Sequence, residues 1–548
     1  MERNHTLNVK MVIIVQSLVT EEISMSETHD SKTPVERMIE IGIALSSELD
    51  LEVLLEKIVS CARDISNADA GTLYLLEDEK LHFKIMQNQS MGIFKGGRGG
   101  EKINLEPVPM QKSNVSAYAA ILGETVCIED VYRSEEFDFS GPRRYDAKTG
   151  YRSQSMLVVP MKNHLGQVIG VLQLLNAMIP GTNQVGVFSD QAISFTEALA
   201  SQAAVAITNA TLVKETKDLF ESFIKVLAVA IDAKSHSTRN HIQRVAIFNL
   251  TLAEAINEKK QGPFANIHFS DDELEEIRYA GWLHDVGKVT TPVWVMEKKN
   301  KLDTPLDRME LIRTRFELVR KSLHLEALKK KMDLMHFDDE PGPLRRIDQE
   351  LEEKISQLEE ELDILEKCNL AREFLDDNLF ELLQEIGRKS YHEDGGNKPY
   401  LTKDEVKHLS VRKGNLTTGE IEIMRDHIVW TKKILHQIPF SGHLQNVALY
   451  AGQHHEKLNG SGYPDGAKEE DIPLRSRILA VADMFEALTS KDRSYKKPMT
   501  TSQVYDILKS DVQRGELDPD VVNLVISDNL YEKFEEKYRA FLETAPEM

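Results

Sequence analysis

The sequence predicts a multidomain chain: an N-terminal α+β domain with one antiparallel sheet and flanking helices, a long linker helix, and a C-terminal all-α domain carrying an inserted helical hairpin. Three observations carry this. A chain of 548 residues is too long for one ordinary core, since a domain takes roughly 100–200 residues. Two pairs of strand-like runs lie between Gly71 and Leu175. From Asp190 onward, apolar residues recur at helical spacing.

Composition narrows the function classes. Hydrophobic residues make up 41% and charged residues 28%, as in globular proteins. Lysine and arginine total 67 against 89 aspartate and glutamate, a formal net charge of −22. Binding to a nucleic-acid polymer or an anionic membrane is driven by basic surface, so neither partner is expected. Cys61, Cys127 and Cys368 lie far apart, which excludes a disulfide framework and a CxxC metal site. No run reaches the roughly 18–20 apolar residues that span a bilayer. Met11–Val19 lacks the basic start and cleavage site of a signal peptide. A cytoplasmic protein is the expectation.

Residues 1–33 read as a disordered arm, with a polar run from Ser26 to Ser31. A helical period follows from Val35, with Ile39, Ile43, Leu54, Leu55 and Ile58 on its apolar positions. Gly71–Leu76 and Leu81–Met86 read as a hairpin around an acidic turn, and Ser155–Met161 and Gln167–Leu175 as a second. Helix, hairpin, irregular loop, hairpin, helix is an α+β pattern. Residues 34–212 resemble a GAF domain, a small-molecule sensor module, through Thr149–Met161, Gly166–Asn176 and Ser201–Ile207. Cyclic-nucleotide-binding members of that family carry an Asn-Lys…Phe…Asp-Glu signature. Asn176 and Phe188 match it, but Ala177, Ala192 and Ile193 replace its charged members. The GAF ligand is therefore expected to be unknown or none.

Residues 190–234 contain no Gly or Pro and read as one linker helix. Ala198, Val205, Leu212, Leu219 and Val226 recur every seven residues. A companion row has Phe223 and Ala230 at one end, Asn209 and Thr216 at the other. This predicts a parallel coiled coil and a homodimer, with Asn209 fixing register. The C-terminal domain spans residues 218–548, with an insertion at 296–400. The insertion holds two apolar stripes, Met309, Ile312, Phe316, Val319 and Leu323, then Leu344 to Leu365, separated by the breaker Asp338–Pro343. A helical hairpin without chemistry is expected.

The residues that invite metal are His241, His284, Asp285, His427, His454, His455 and Asp483. Asp483 lies in the apolar helix Arg477–Leu488, where an acid is costly unless paired or ligated. The adjacent His284-Asp285 offers two ligands from one turn, and its carboxylate can bridge two cations. Imidazole with carboxylate suits Fe, Mn, Zn or Co rather than Ca.

Taken in order, His284-Asp285 with Gly287-Lys288, His454-His455-Glu456, Gly462-Tyr463-Pro464 and Asp492–Lys496 resemble the HD-GYP family. These are bacterial metal-dependent phosphohydrolases that hydrolyse cyclic di-GMP. The likeness runs from about Phe223 to Ile526, apart from the insertion. It implies that His241, His284, Asp285 and Asp483 hold one metal, and that Asp285 bridges to a second held by His427, His454 and His455. It implies that Gly462, Tyr463 and Pro464 shape the site, and that Lys288, Arg493 and Lys496 meet substrate phosphates. Asp285 and Lys288 take the catalytic roles. Some members support a third metal with a Glu four residues before the first ligand histidine. Ser237 stands there, so two divalent ions per chain are expected, Fe or Mn. The implied activity is hydrolysis of cyclic di-GMP to pGpG, with or without onward cleavage to GMP, regulated by the GAF domain. Two alternatives stay open: a noncatalytic cyclic-dinucleotide receptor or scaffold, and hydrolysis of another cyclic dinucleotide.

Overall fold

The computed structural model describes residues 34–235, 240–335, 341–371, 374–393, 396–490 and 499–544. The chain divides into two compact units, Met1–Leu219 and Phe220–Met548.

In the first unit, α1 (Pro34–Ser46) and α2 (Leu51–Ser66) precede the sheet. Asp50 caps α2 by accepting from the amides of Glu52 and Val53. Strands β1 (Ala68–Glu77) and β2 (Lys80–Asn88) are joined by Asp78-Glu79, both at positive φ, as a tight hairpin turn requires. Then come β3 (Ile93–Gly96), β4 (Val108–Pro109), α3 (Val115–Leu122), β5 (Val126–Ile128) and α4 (Ser140–Thr149). The second long hairpin is β6 (Met156–Lys162) with β7 (Val168–Met178), followed by β8 (Val185–Gly186). The antiparallel sheet runs β3-β2-β1-β7-β6-β5, with β4 on β2 and β8 on β7. Both expected hairpins are present.

This sheet is buried on both faces. Along β6, Leu157, Val159 and Met161 enter one core, while Met156 and Val158 enter the other, the two-residue period of a strand. The first core closes against α2 and the small side chains Ala200, Ala203 and Ala204 of α5 (Asp190–Asp232). The second closes under α3. Inside it, Tyr74 and Ser116 both donate to Gln173 Oε1, at 3.0 and 2.9 Å. Asn176 accepts from the Gln154 amide at 2.7 Å and donates to Tyr151 Oη and the Arg152 carbonyl. It therefore holds the chain entering β6.

The second unit is helical apart from short ribbons. Its main core joins α6 (His241–Asn257), α7 (Asp271–Leu283), α15 (Leu474–Thr489), α16 (Thr501–Gln513), α17 (Pro519–Ser527) and α18 (Leu530–Thr544) around Phe248 and Phe485. Another core joins the end of α5, through Ile224, Ala228 and Ile231, to α6, α7, α13 (Thr418–Leu435) and α14 (Val447–Gly452). After the short α8 (Val293–Met296), the insertion forms the expected hairpin, α9 (Met309–Met335) and α10 (Pro341–Asn369). Beside it lie α11 (Asp377–Gly387), a ribbon of Ser390–Glu393 with Gly396–Pro399, and α12 (Lys403–Leu409). Met309, Ile312, Phe316 and Val319 pack with Leu358, Leu365, Leu383 and Leu409 in a core of its own. Among the described residues, no helix is long and apolar enough to cross a membrane.

Candidate metal centre

His241 is the first residue of α6, just after Asn240 turns the chain at φ 60°. α7 begins with a capping box between Ser270 and Glu273 and ends at Leu283. His284 caps it, and Asp285 leaves the helix at φ −104° into the 3-10 turn Val286–Thr290. Residue 287 must be glycine because α13 passes so close that a Cβ would collide with the His427 carbonyl and the Thr431 amide. The Gly287 amide donates to Thr431 Oγ1 at 3.0 Å, and that hydroxyl donates to the His284 carbonyl at 3.1 Å. The motif glycine thus docks His284-Asp285 against the helix that carries His427.

His454 and His455 follow α14. Glu456 accepts from the amides of Asp465 and Ala467, at 2.7 and 2.9 Å, and folds the next loop back on itself. Gly462 lies against the backbone of Glu456 and Lys457 with no room for a Cβ. The fold of this loop sets the Tyr463 ring on His455, centroids 4.8 Å apart at 31°, with the Arg425 guanidinium 5.1 Å from the Tyr463 centroid. Pro464 follows through a cis bond. Asp483 comes from α15.

Asp285 is the hub of these side chains. Its Oδ2 lies 3.3 Å from His241 Nε2 and 3.2 Å from His284 Nε2. Its Oδ1 lies 3.3 Å from His427 Nε2 and 4.0 Å from His454 Nε2. Asp483 Oδ1 is 3.3 Å from His241 Nε2, and its Oδ2 is 4.0 Å from His455 Nδ1. Two donor groups result, His241/His284/Asp285 and His427/His454/His455, each with its donor atoms within 4.8 Å of one another.

Four of the five histidines are held with Nε2 facing inward, while His455 turns Nδ1 toward Asp483. Nδ1 of His284, His427 and His454 donates to the carbonyls of Gly281, Met424 and Ala451, at 2.7, 2.5 and 2.7 Å. That assigns the proton to Nδ1 and leaves Nε2 bare. Nε2 of His241, His284, His427 and His454, and Oδ1 of Asp285, are buried without a hydrogen-bond partner. Stranding one buried polar atom costs about 1–3 kcal/mol. Five such atoms converging on one point fit a bound cation, and imidazole nitrogen with carboxylate oxygen fits a divalent transition metal.

The electrostatics agree. Burial opposes charge on Asp285, but Lys288, whose Nζ is 2.5 Å from Oδ2, and then His284 and His241 hold its carboxyl well below the usual range. Burial likewise opposes charge on Asp483, and His241 overrides it. Burial pushes His454 far down and His455 down to about 3, so both offer lone pairs. Burial also pulls on His241, but Glu486, Asp285 and Asp483 together hold it well above the ordinary value.

Glu486 is not among the residues the motifs single out. It is buried, and its Oε2 accepts from His241 Nδ1. Arg244 Nε donates to Glu486 Oε1 at 3.2 Å, and Nη2 donates to Glu535 at 3.2 Å. The Arg244 guanidinium lies over Phe534 and Tyr538 of α18, at 5.0 and 4.9 Å. A carboxylate on Nδ1 makes a histidine a stronger ligand and fixes its ring. The available signal is the three-residue spacing from Asp483, which puts both acids on one face of α15. Asp232, at the end of α5, is also buried near the cluster, and burial pushes its carboxyl up to about 7. The structure thus brings together all seven expected ligands, with Lys288 and Tyr463. Arg493, Lys496 and Ser237 lie outside the described residues.

Residues 50–207 match the family model of the GAF domain, and residues 404–521 match that of the HD domain. The second match contains His427, His454, His455 and Asp483. His241, His284 and Asp285 precede it, across the insertion. Over 212 residues the chain is 30% identical to a cyclic di-GMP phosphodiesterase of Thermotoga maritima, covering 36% of this chain and 54% of that protein. Over 128 residues it is 35% identical to 3'3'-cGAMP-specific phosphodiesterase 1 of Vibrio cholerae, covering 23% and 28%. The chain thus spans about half the length, or less, of these curated relatives. The GAF domain of an Acinetobacter phosphoenolpyruvate-protein phosphotransferase matches at 20% identity and a TM-score of 0.26, covering 34% of this chain and 99% of that one.

Proposed function

We propose that this chain, which carries a GAF domain and an HD domain, is a metal-dependent cyclic di-GMP phosphodiesterase of the HD-GYP type. The observation that carries the reading is Asp285, whose two oxygens face two separate sets of imidazoles turned with Nε2 inward. His241, His284, Asp285 and Asp483 would hold one divalent cation, and His427, His454 and His455 with the other Asp285 oxygen a second, Fe or Mn. Bound there, the pair would supply Lewis acidity and a water acidified toward hydroxide near neutral pH. The chain's own residues do the rest. The Lys288 ammonium, beside Asp285, offsets charge on the phosphoryl oxygens during in-line attack. Gly462, Tyr463 and Pro464 shape the wall of the site, with Tyr463 set on His455. Arg493 and Lys496 add phosphate partners. The ribose 3′ oxygen leaves, so the first product is linear pGpG.

A second substrate is favoured by the Vibrio cholerae relative, named for 3'3'-cGAMP. Anaerobically purified protein, loaded with Mn or Fe and incubated with cyclic di-GMP, 3'3'-cGAMP and cyclic di-AMP, separates the readings. Conversion of cyclic di-GMP to pGpG supports the proposal. Faster loss of 3'3'-cGAMP moves the substrate. Binding without hydrolysis at full metal content favours the noncatalytic receptor.

The regulatory proposal is that the GAF domain acts through α5 in a parallel homodimer in the cytoplasm. Its support is the exposed row of Val205, Leu212, Leu219 and Val226 on an unbroken helix. Light scattering that gives a strict monomer at micromolar concentration would count against it.

A further inference from the structure

The 3-10 turn Val286–Thr290, which carries Lys288, is held from two sides. On one side the Gly287 amide donates to Thr431 Oγ1 at 3.0 Å. On the other stands Lys234, two residues beyond Asp232, the last residue of α5. Its Nζ donates to the carbonyls of Lys288, Val289 and Thr291, at 3.0, 2.5 and 2.6 Å. An ammonium has three protons, and one short stretch of backbone takes all three. The last carbonyls of a helical turn have no partner within it and form its negative end, so a cation is favoured there. A lysine engaged in this way is a clamp on the backbone, not a solvated surface charge.

We infer that Lys234 is a positioning residue for the hydrolysis proposed above: by clamping the carbonyl end of this turn it holds the Lys288 ammonium beside Asp285. The inference rests on that reading of the site. Three observations connect the clamp to the chemistry. The Lys288 carbonyl is one of the three acceptors, so the clamp acts on the main chain of the residue whose Nζ lies 2.5 Å from Asp285 Oδ2. The Lys288 amide donates back to the Asp285 carbonyl at 2.9 Å, and the Thr291 amide donates to the Lys288 carbonyl at 3.1 Å, which ties both ends of the turn to Lys288. At the start of the turn, Val286 shares a core with Ile224, Ala228 and Ile231 of α5. The end of α5 and the residue just past it therefore grip the turn at both ends. Without the clamp, the carbonyl end can shift while Asp285 stays among its histidines. A misplacement of about 1 Å is enough to cost about 100-fold in rate.

Lys234→Met keeps the stem and removes the clamp. In the metal-loaded full chain it is expected to lower kcat about 10–100-fold, with KM and metal content unchanged, because Lys288 acts on charge that develops in the transition state. If Lys234 acts through Lys288, the same change costs nothing further in a Lys288→Met background, whereas a merely structural defect adds to that loss. Lys234→Arg keeps the charge but spreads its donors in a plane, so its loss should be smaller and should vanish in the same background. Hydrogen exchange reads the clamp without turnover. The amides of residues 286–291 should exchange about tenfold faster in Lys234→Met, and those of α16 should not change. Additive losses in an active enzyme, a change confined to KM, lost metal, or unchanged exchange in the turn would each overturn the role of Lys234. A wild type at full metal content that cleaves no cyclic dinucleotide defeats the phosphodiesterase reading instead, and exchange in the turn still decides the clamp.

Discussion

Under the GAF sheet, Gln173 takes hydrogen bonds from Tyr74 and Ser116, and Asn176 makes three of its own. Around Asp285 in the HD unit, four imidazole nitrogens and one carboxylate oxygen have no hydrogen-bond partner. Both regions bury polar groups, yet the first set is satisfied by the protein alone and the second is not. Uncompensated burial is expensive, so the second set makes physical sense as donors held ready for cations. Burial alone therefore does not mark a functional site; burial with unmet donor capacity does.

The largest expected effect comes from removing the hub. His284→Ala with Asp285→Ala should abolish turnover and metal uptake while far-UV circular dichroism stays that of a folded protein. Undiminished hydrolysis would sink the assignment. Next comes the support of His241. Glu486→Gln keeps the side-chain shape but loses the charge behind Nδ1, so metal affinity should fall about 10–100-fold. Glu486→Asp should fall between, and metal-free melting of the Gln variant should fall as well, because His241 and Arg244 lose a buried charged partner. Titration with Mn checks this, and wild-type affinity in the Gln variant would remove Glu486 from the account.

The satisfied interior should answer differently. Gln173→Leu strands the Tyr74 and Ser116 donors, at about 1–3 kcal/mol each. The GAF unit should melt earlier while metal content stays unchanged, read by calorimetry alongside elemental analysis. A parallel loss of metal would break the contrast between the two interiors. The smallest effect is a proton count. Carboxylates keep His241 protonated, whereas burial keeps His454 and His455 neutral. Metal uptake near neutral pH should then release a proton from His241. Affinity should fall as pH falls, about tenfold per unit for one proton. A pH indicator in weak buffer measures it, and uptake with no release would contradict this protonation state.

Much of this was legible in the sequence, for reasons that differ by element. The hairpins β1–β2 and β6–β7 are long enough to show a strand pattern and end in turns. The short strands β3, β4 and β5 are not, since two to four residues pairing at an edge leave no period. The seven expected ligands lie in compact local motifs. Glu486 escapes because its meaning depends on His241, 245 positions away.

The measurement that tests the central claim most directly is metal content per chain, by elemental analysis of anaerobically purified wild type beside Asp285→Ala. If Asp285 joins two cation sites, the wild type carries two equivalents of Fe or Mn and the variant loses both. Two equivalents retained by a folded Asp285→Ala protein, or an active wild type with none, would contradict it.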